Sequence, residues 1–260
     1  MIAILETLTL AIIPAFLVLD LLHRARRFES TRWWRARALV VSALNFALSV
    51  GVAVFWAGFF GTRTIFDLSG WGPLGGAAIG ILAYELLHYA YHRAAHSFDW
   101  LWRSAHQMHH SAESLDAFGA YYMHPLDNVL FTTLSSLVFF PLLGVSAAAG
   151  AVGALFLTFN AMFQHANIRT PHWVGYLVQR PESHGIHHSR GVHRHNYSDL
   201  PLWDMVFGTF HNPREFEGDV GLAPGASARI GSMLLGRDVS EELEPAHRTV
   251  QRDGTTPGAA

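Results

Sequence analysis

The chain of 260 residues contains no cysteine and no lysine. Without cysteine it cannot form disulfide bonds, use a thiolate nucleophile, or hold an iron–sulfur cluster or a zinc–thiolate site. Its formal net charge is only −2, so a broad electrostatic attraction to nucleic acid is not indicated. A Gly-x-Ser-x-Gly elbow and a glycine-rich phosphate loop are absent as well. These absences exclude thiol chemistry, hydrolysis of the serine-elbow type and nucleotide binding by a phosphate loop.

Apolar sequence, in contrast, is abundant: hydrophobic residues make up 50% of the chain. The first apolar run is Ile2 to Leu22, and a helix of that length would span roughly 30 Å, the thickness of a bilayer core. It has no basic residues before it, which favours an anchor helix over a cleavable signal peptide. Three further apolar runs follow, at Ala38 to Phe60, Pro73 to Tyr91 and Val129 to Phe163.

The last of these runs, Val129 to Phe163, is broken by Pro141 and Gly144. Proline interrupts a helix because it lacks the backbone donor and clashes with the preceding turn. We therefore expect a helical hairpin of two short membrane spans in this region.

The distribution of arginine predicts the orientation in the membrane. Six of the 18 arginines lie in the segment His23 to Arg37, whereas the loop Gly61 to Gly72 contains only Arg63. By the positive-inside rule, the segment His23 to Arg37 faces the cytoplasm. The polar stretches that follow the third and fourth apolar runs are predicted to face the same side. Trp33 and Trp34 are predicted to belong to an aromatic belt at the interface.

These patterns predict an all-α integral membrane bundle of about four spans, including a broken helical hairpin, with a histidine-rich helical cap on the cytoplasmic side. Residues 1–78 are predicted to be the N-terminal transmembrane anchor helices, and residues 79–210 the domain that carries the histidines. Residues 211–260 are predicted to be a polar C-terminal tail that is partly disordered.

Histidine is the residue that points to a chemistry, because the chain has 17 of them and most fall in three short clusters. Residues three or four apart share one face of a helix, and the clusters repeat that spacing. Neutral imidazole is the commonest protein ligand for metals and suits Fe, Zn, Cu and Ni. Several short helices, each offering two or three imidazoles, could surround a pair of metal ions. The clusters are His88, His92 and His96; His106, His109 and His110; and His184, His187 and His188.

The other histidines carry weaker signals. Spacing alone leaves His88 ambiguous and favours structural roles for the isolated His124 and His165. His193 and His195 follow the third cluster closely, so a role as ligand or as support for a ligand stays open. Ordinary surface positions are predicted for His23, His172, His211 and His247.

Short sequence motifs in and around the histidine clusters follow one another in a specific order along the chain. The segments are His92 to His96, Leu101 to Ser111, His124 to Leu126, His165 to Asn167, His184 to Ser189, Asn196 to Tyr197, and Leu202 to Thr209. Over roughly Ile79 to Phe210, this order resembles the fatty acid hydroxylase superfamily, which includes sterol desaturases.

The resemblance implies a membrane-bound non-haem di-iron oxidoreductase, with residues 79–210 as its catalytic domain. Such an enzyme uses O2 and external electrons to hydroxylate, desaturate or otherwise oxidise a lipid such as a sterol, a fatty acyl chain or an isoprenoid. The implied partners are the membrane lipid, O2 and a separate electron donor of the ferredoxin or cytochrome type with its reductase; nucleic acid is not among them. Zinc could substitute for the two iron ions.

The resemblance also implies a ligand set. It leaves His88 outside and raises His124 and His165 to expected ligands. We call the three groups that begin at His92, His106 and His184 the first, second and third histidine boxes. Glu85 matches an acidic position seven residues before His92 and could orient an imidazole. The ten expected metal ligands are His92, His96, His106, His109, His110, His124, His165, His184, His187 and His188.

Two other functions remain as alternatives: a histidine-rich membrane transporter of zinc, and a membrane scaffold without catalysis. Transport sites usually lie near the bilayer midplane. The histidine boxes instead follow the apolar runs and lie in polar sequence, which favours the oxygenase. The lipid substrate, and the choice between hydroxylation and desaturation, stay open at this point.

Overall fold

The computed structural model describes residues 1–192 and 194–241, and helices account for most of this part of the chain. In chain order the α-helices are α1 Ile2–Leu22, α2 Trp34–Phe60, α3 Gly72–Ser97, α4 Asp99–Leu101, α5 Gln107–His110, α6 Pro125–Leu137, α7 Ala147–His165, α8 Pro181–His187, α9 Pro201–Phe207 and α10 Ile230–Leu234. Two π-helical turns join or extend them: Trp102–His106 connects α4 to α5, and Val138–Leu142 continues α6. The described residues form no β-strand, so the all-α prediction is confirmed.

Four helices are long and apolar enough to cross a membrane: α1, α2, α6 with its extension to Leu142, and α7. The chain is therefore a membrane protein with the predicted number of candidate spans. The third apolar run forms α3, but α3 is not among the four candidates found in the described residues. Its sequence includes Glu85, His88 and His92, which are buried inside the bundle and do not face lipid.

α1, α3 and α7 run in the same direction. Phe16 near the end of α1 contacts Phe159 near the end of α7, with ring centroids 6.0 Å apart. At the other end, Gly76 of α3 lies so close to Ala149 of α7 that a Cβ added at Gly76 would be 3.0 Å away from the Ala149 Cβ. The C-terminal ends of these three helices therefore meet at one end of the bundle.

α2 and α6 run in the opposite direction and begin at that same end. Asn128 in the first turn of α6 donates to the carbonyl of Asn45 over 3.0 Å. Further along both helices, Trp56 donates to the hydroxyl of Thr133 over 2.9 Å. We call the end where α1, α3 and α7 finish and α2 and α6 begin the histidine end, because every histidine box follows or precedes one of these helix ends.

The predicted hairpin between Val129 and Phe163 is confirmed, since α6 with its extension and α7 are both candidate spans. Gly144 turns the chain between them with a φ of +58°, and a Cβ there would lie 2.3 Å from the carbonyl oxygen of Phe66. Only glycine fits both the backbone conformation and this close approach. The turn thereby lies against the loop 61–71, at the end opposite the histidines.

Residues 211–241 pack against the histidine end. Leu222, Met233 and Val239 are buried in one hydrophobic cluster with Trp34 of α2. The amide of Gln107 donates to the carbonyl of Arg237 over 2.9 Å. This part of the predicted tail thus covers α5, whereas residues 242–260, for which partial disorder is predicted, lie outside the described residues.

Candidate metal centre

α3 delivers the first pair of histidines. His92 and His96 are one turn apart near the C-terminal end of the helix, so they share a face, and their ring centroids lie 5.2 Å apart. His92 is buried and His96 is half-buried. The face that carries them is turned toward the second and third boxes, because the His187 ring is 4.6 Å from that of His92 and 4.7 Å from that of His96.

The second and third boxes each divide their histidines between two clusters. Neighbouring residues on a helix point about 100° apart, so the pair His109–His110 sends one ring to each cluster. The pair His187–His188 does the same from α8 and its cap. The boxes also mirror each other: one box gives two histidines to the first cluster and one to the second, and the other box reverses this division.

Nine of the ten histidines expected from the sequence come together in this way. Within each cluster one nitrogen from every ring lies within 4.8 Å of the others. The five-histidine cluster consists of His92, His96, His106, His110 and His187, and the four-histidine cluster of His109, His165, His184 and His188. The two are in contact, because the rings of His110 and His188 stack with centroids 4.2 Å apart.

His124 is the expected ligand that the structure does not bring to either cluster. It is the N-cap of α6, and its Nδ1 accepts a hydrogen bond from the backbone N–H of Leu126 over 3.0 Å. A side chain that caps a helix in this way satisfies one of the backbone donors that the first turn leaves unpaired.

Hydrogen bonds at Nδ1 fix the tautomer of several imidazoles. A carbonyl oxygen can only accept, so a ring nitrogen bonded to it carries the proton. His165 donates in this way to the carbonyl of Ala161 over 2.8 Å, and His109 donates to that of Tyr122 over 3.4 Å. His106 donates to the buried carboxylate of Asp127 over 2.8 Å. Such outer partners hold ligand rings in orientation and raise their basicity.

The donor set therefore fits metal ions. With Nδ1 protonated, His109 and His165 each present a lone pair on Nε2, yet these two Nε2 atoms are only 3.2 Å apart. Two lone pairs at this distance repel unless a cation lies between them. Nitrogens bound to one metal at about 2.0–2.1 Å would be about 3.0–3.4 Å apart. Nε2 distances of 3.1 Å between His165 and His184, and 3.0 Å between His184 and His188, fall in that range.

Burial keeps these imidazoles neutral. It lowers the pKa of His109, His110, His184 and His188 well below the usual value of 6.5, and the neighbouring imidazoles lower it further. Neutral imidazole is the form that binds a metal. Both clusters can therefore hold metal ions near neutral pH.

The segment 195–200 supplies backbone acceptors to the five-histidine cluster. His92 donates from Nδ1 to the carbonyl of Tyr197 over 2.6 Å, and His187 donates to the carbonyl of His195 over 2.8 Å. The segment is itself held by Asp204, whose buried carboxylate accepts from the Tyr197 N–H over 2.8 Å and the Ser198 N–H over 2.9 Å. Asp204 thus positions two of the five rings through the backbone.

Replacing Asp204 with asparagine is expected to weaken metal binding at the five-histidine cluster by about 10–100-fold. The substitution removes the charge and one acceptor that hold the segment, while the ring nitrogens themselves stay unchanged. Metal retained per chain after dialysis against a chelator measures the effect. Asp67→Asn, in the exposed loop 61–71, serves as the control. Equal metal retention in the two variants would contradict this positioning role.

Of the three histidines that the sequence left open, His88 and His195 fall outside both clusters. The His88 ring stacks on that of His92, with centroids 5.5 Å apart, but its nitrogens do not join those of the nine. His195 acts through its carbonyl, and its own ring faces His211 at 5.6 Å. His193 lies outside the described residues, as does His247.

Glu85 does not touch the nine imidazoles by a hydrogen bond in the described structure. Its Oε2 accepts from the backbone N–H groups of Asp199 and Leu200, over 2.9 and 3.2 Å. It therefore supports the same 195–200 segment, at the two residues that follow those held by Asp204. The imidazole nearest to it is that of His88, whose Nδ1 lies 3.7 Å from Glu85 Oε2, so its role in orienting a ligand ring stays a prediction.

A cavity of about 670 Å³ reaches from the apolar helices to the two clusters. Its walls include Leu10 and Pro14 of α1, Phe46 of α2 and Leu157 of α7. At the histidine end the lining includes a ring from each cluster, and both helices of the predicted N-terminal anchor contribute to the wall. The mostly apolar lining suits an apolar molecule that reaches the histidine end. The helices that line the cavity come from distant parts of the chain, so the apolar periodicity of the sequence did not predict the cavity.

Comparison with known proteins agrees with this site. The family model for fatty acid hydroxylases matches residues 77–209, which is 133 of the 260 residues. The match confirms the resemblance predicted over Ile79 to Phe210. It covers all nine clustered histidines.

Curated relatives are identical to the chain at roughly a quarter to a third of the aligned residues. Sphinganine C4-monooxygenase 1 of Arabidopsis thaliana is 26% identical over 50% of this chain and 52% of its own. A very-long-chain aldehyde decarbonylase of Oryza sativa is 26% identical over 52% of this chain and 54% of its own. An ornithine lipid hydroxylase of Rhizobium tropici is 31% identical over 55% of this chain and 44% of its own.

The chain thus spans about half the length of the curated relatives it matches. No solved structure matches it. These three relatives are named for reactions on lipids or long-chain aldehydes, and none of the three is named as a transporter.

Proposed function

The chain belongs to the fatty acid hydroxylase family, and from that membership we propose that it is a membrane-bound non-haem di-iron oxygenase that hydroxylates a lipid. The observation that carries the proposal is the pair of all-histidine clusters at the end of an apolar cavity. Residues 79–210 would perform the chemistry. Residues 1–78 would anchor the chain and complete the cavity wall.

The five-histidine cluster would hold one iron and the four-histidine cluster the other. Bound iron would supply the chemistry by which O2 and external electrons oxidise an unactivated C–H bond. Imidazole also suits zinc, so zinc would occupy the same ligands when it is in excess. Metal analysis of anaerobically purified protein is expected to find about two ions per chain.

The protein's own groups would bind and orient the reactants. The cavity walls would hold the hydrocarbon part of the lipid and exclude water. The Nδ1–H bonds to backbone carbonyls and to Asp127 would keep the ligand rings in one tautomer and orientation. Hydroxylation is proposed ahead of desaturation because relatives of the chain are named as hydroxylases and monooxygenases.

The proposal is tested with isotopically labelled oxygen gas. Reduced, iron-loaded protein is supplied with a ferredoxin- or cytochrome-type donor and its reductase, and with a panel that includes a sphingoid base, an ornithine lipid and a fatty acyl lipid. We expect one lipid product to gain a single oxygen atom that carries the label. Label that comes only from water, or a product that forms equally without the iron, would refute the oxygenase.

The histidine end is proposed to face the cytoplasm. Among the arginines of the described residues, only Arg63 lies in the loop at the opposite end, and the positive-inside rule places the arginine-rich end inside. The separate electron donor would then reach the site from the cytoplasm.

The orientation can be measured because the chain has no native cysteine. A single cysteine at Glu29, an exposed residue at the histidine end, is expected to resist a membrane-impermeant maleimide in intact cells and to react after lysis. A single cysteine at Asp67, exposed at the opposite end, should react in intact cells. The reverse pattern would overturn the orientation.

A further inference from the structure

A second group of ionisable side chains lies beside the metal-binding clusters. Glu85 and His88 of α3 and Asp199 are all buried, and one nitrogen or oxygen from each lies within 4.8 Å of the others. His88 and Asp199 also line the cavity that reaches the histidine clusters. The wall of an otherwise mostly apolar cavity thus contains a compact acidic patch, which we call the acidic wall.

The acidic wall is short of hydrogen-bond donors. Glu85 Oε2 accepts from two backbone N–H groups, but Glu85 Oε1 is buried and has no hydrogen-bond partner among the described residues. His88 Nδ1 also lacks a hydrogen bond and lies 3.7 Å from Glu85 Oε2. Asp199 Oδ1 accepts from the amide of Gln164 over 2.9 Å. Among the described ion pairs, neither carboxylate is paired with an arginine.

Two carboxylates so close together and so deeply buried lose their hydration and repel each other. Burial and the neighbouring Glu85 carboxylate accordingly raise the pKa of Asp199. A group that donates hydrogen bonds would relieve both effects. Of the three residues, His88 and Asp199 line the cavity, so a donor on the molecule that fills the cavity would reach the patch at the Asp199 carboxylate.

We infer that the acidic wall is an anchoring subsite for a hydroxyl or ammonium group on the lipid substrate. The inference rests on the proposed function only where it calls the bound lipid a substrate. The binding preference itself follows from the cavity alone. Hydroxyl and ammonium groups share the property that matters here, which is donation of a hydrogen bond to a carboxylate.

The position of the acidic wall links the anchor to the site of oxidation. The His88 ring is parallel to that of His92, with an interplanar angle of 1°. Gln164, the partner of Asp199, directly precedes His165 of the four-histidine cluster. An anchored hydroxyl or ammonium group would therefore be separated from the clusters by about the width of one imidazole ring. The carbon that is oxidised would be close to that group along the lipid.

The prediction is a preference for lipids that donate hydrogen bonds. Three probes of equal alkyl length isolate this property: hexadecan-1-ol, hexadecylamine, and hexadecyl methyl ether, which can only accept. Their affinities are measured with full-length, metal-loaded protein in nanodiscs, by displacement of a fluorescent alkyl probe. We expect the alcohol or the amine to bind roughly tenfold or more tightly than the ether. Whichever of the two binds more tightly identifies the source of the donor.

Asp199→Asn should reduce this preference to less than about threefold, because its amide nitrogen would face the donor. Glu85→Gln should weaken the preference as well and serves as a second variant if Asp199→Asn does not fold. Asp219→Asn is the matched control and should keep the preference, because Asp219 is exposed and its one ion pair among the described residues is with Arg190.

Three results would overturn the inference. The ether could bind as tightly as the alcohol and the amine, or the preference could survive in both Asp199→Asn and Glu85→Gln. The last such result would be the detection of three metal ions per chain in the wild type and two in Asp199→Asn, since the patch would then bind a metal. Selective binding of donors without any incorporation of labelled oxygen would refute the proposed function and leave the subsite supported.

Discussion

Replacing His187 with alanine is expected to abolish the proposed lipid oxidation and to remove at least one of the two proposed metal ions. The His187 ring lies within 4.8 Å, atom to atom, of four other imidazoles in the five-histidine cluster. Its Nδ1 donates to a backbone carbonyl, so its Nε2 is the nitrogen that would bind the metal. Loss of one ligand also disturbs the neighbouring cluster, because His188 follows directly in the chain. Activity is expected to fall at least a hundredfold, measured by product formation with labelled oxygen gas and by metal per chain.

The matched control is His124→Ala, which separates the set of ten ligands expected from the sequence from the nine that the structure brings together. His124 caps α6 and belongs to neither cluster. Its replacement should cost about 1 kcal/mol of stability, as the loss of an N-cap does, and should leave two ions per chain. Loss of a metal ion from His124→Ala would show that this residue is a ligand after all. Full activity in His187→Ala would show that His187 is not a required ligand.

The second large effect is expected from Glu182, at the start of α8. Its carboxylate is buried and accepts from Arg26 over 2.6 Å and from the Thr170 hydroxyl over 2.7 Å. It also pairs with Arg180 over 3.2 Å, and the Arg180 side chain is fully buried. Removing one partner of a buried pair leaves the other charge uncompensated, so Glu182→Ala is expected to lower the free energy of unfolding by about 3–5 kcal/mol. Thermal unfolding in detergent measures the loss.

Because α8 carries His184 and His187, Glu182→Ala should also reduce metal retention. Glu217→Ala, an exposed residue nearby, should change neither property by a measurable amount. A variant at Glu182 as stable as the one at Glu217 would mean that the ion pairs contribute no net stability.

The Glu182 contribution should depend on pH. Burial raises its pKa, but hydrogen bonds from Thr170 and Arg26 outweigh burial and hold the pKa below the usual value of 4.5. A depressed pKa in the folded state means that stability is present above pH 4.5 and is lost as the pH falls through the lower folded-state pKa. The stability difference between the wild type and Glu182→Gln should therefore shrink in acid. A difference that grows toward low pH would contradict this assignment.

Several features of the fold could be predicted because they depend on local sequence. The length and composition of Ile2 to Leu22 were sufficient to predict a helix long enough to span a membrane. Pro141 and Gly144 predicted the hairpin, since proline disfavours a continuous helix and glycine permits a sharp turn whatever surrounds them. The third apolar run was less informative. Its residues form α3, but their apolar character reflects burial within the protein as much as contact with lipid.

Other residues looked alike in the sequence and were separated by packing. Trp33 and Trp34 were both predicted to lie at the membrane interface. In the structure Trp33 is 69% exposed, whereas Trp34 is 3% exposed and donates from its indole to Asp116. Asp20 lies in the first apolar run, yet it is fully buried and accepts from the backbone N–H groups of Ala117 and Asn167. Their partners are distant in the chain, so local patterns contain no signal for them.

Local sequence was sufficient to identify the class of the protein and the histidines proposed to bind metal. Helical periodicity places histidines three or four residues apart on neighbouring positions of a turn, and this property does not need the rest of the chain. Only the tertiary structure decided how the rings are shared, with His109 and His110 in different clusters and His124 in neither. It also decided which carbonyls hold the imidazoles and where the acidic wall meets the cavity. Those contacts join residues up to about a hundred positions apart, such as His92 with Tyr197, and they exist only when hydrophobic burial has packed the helices together.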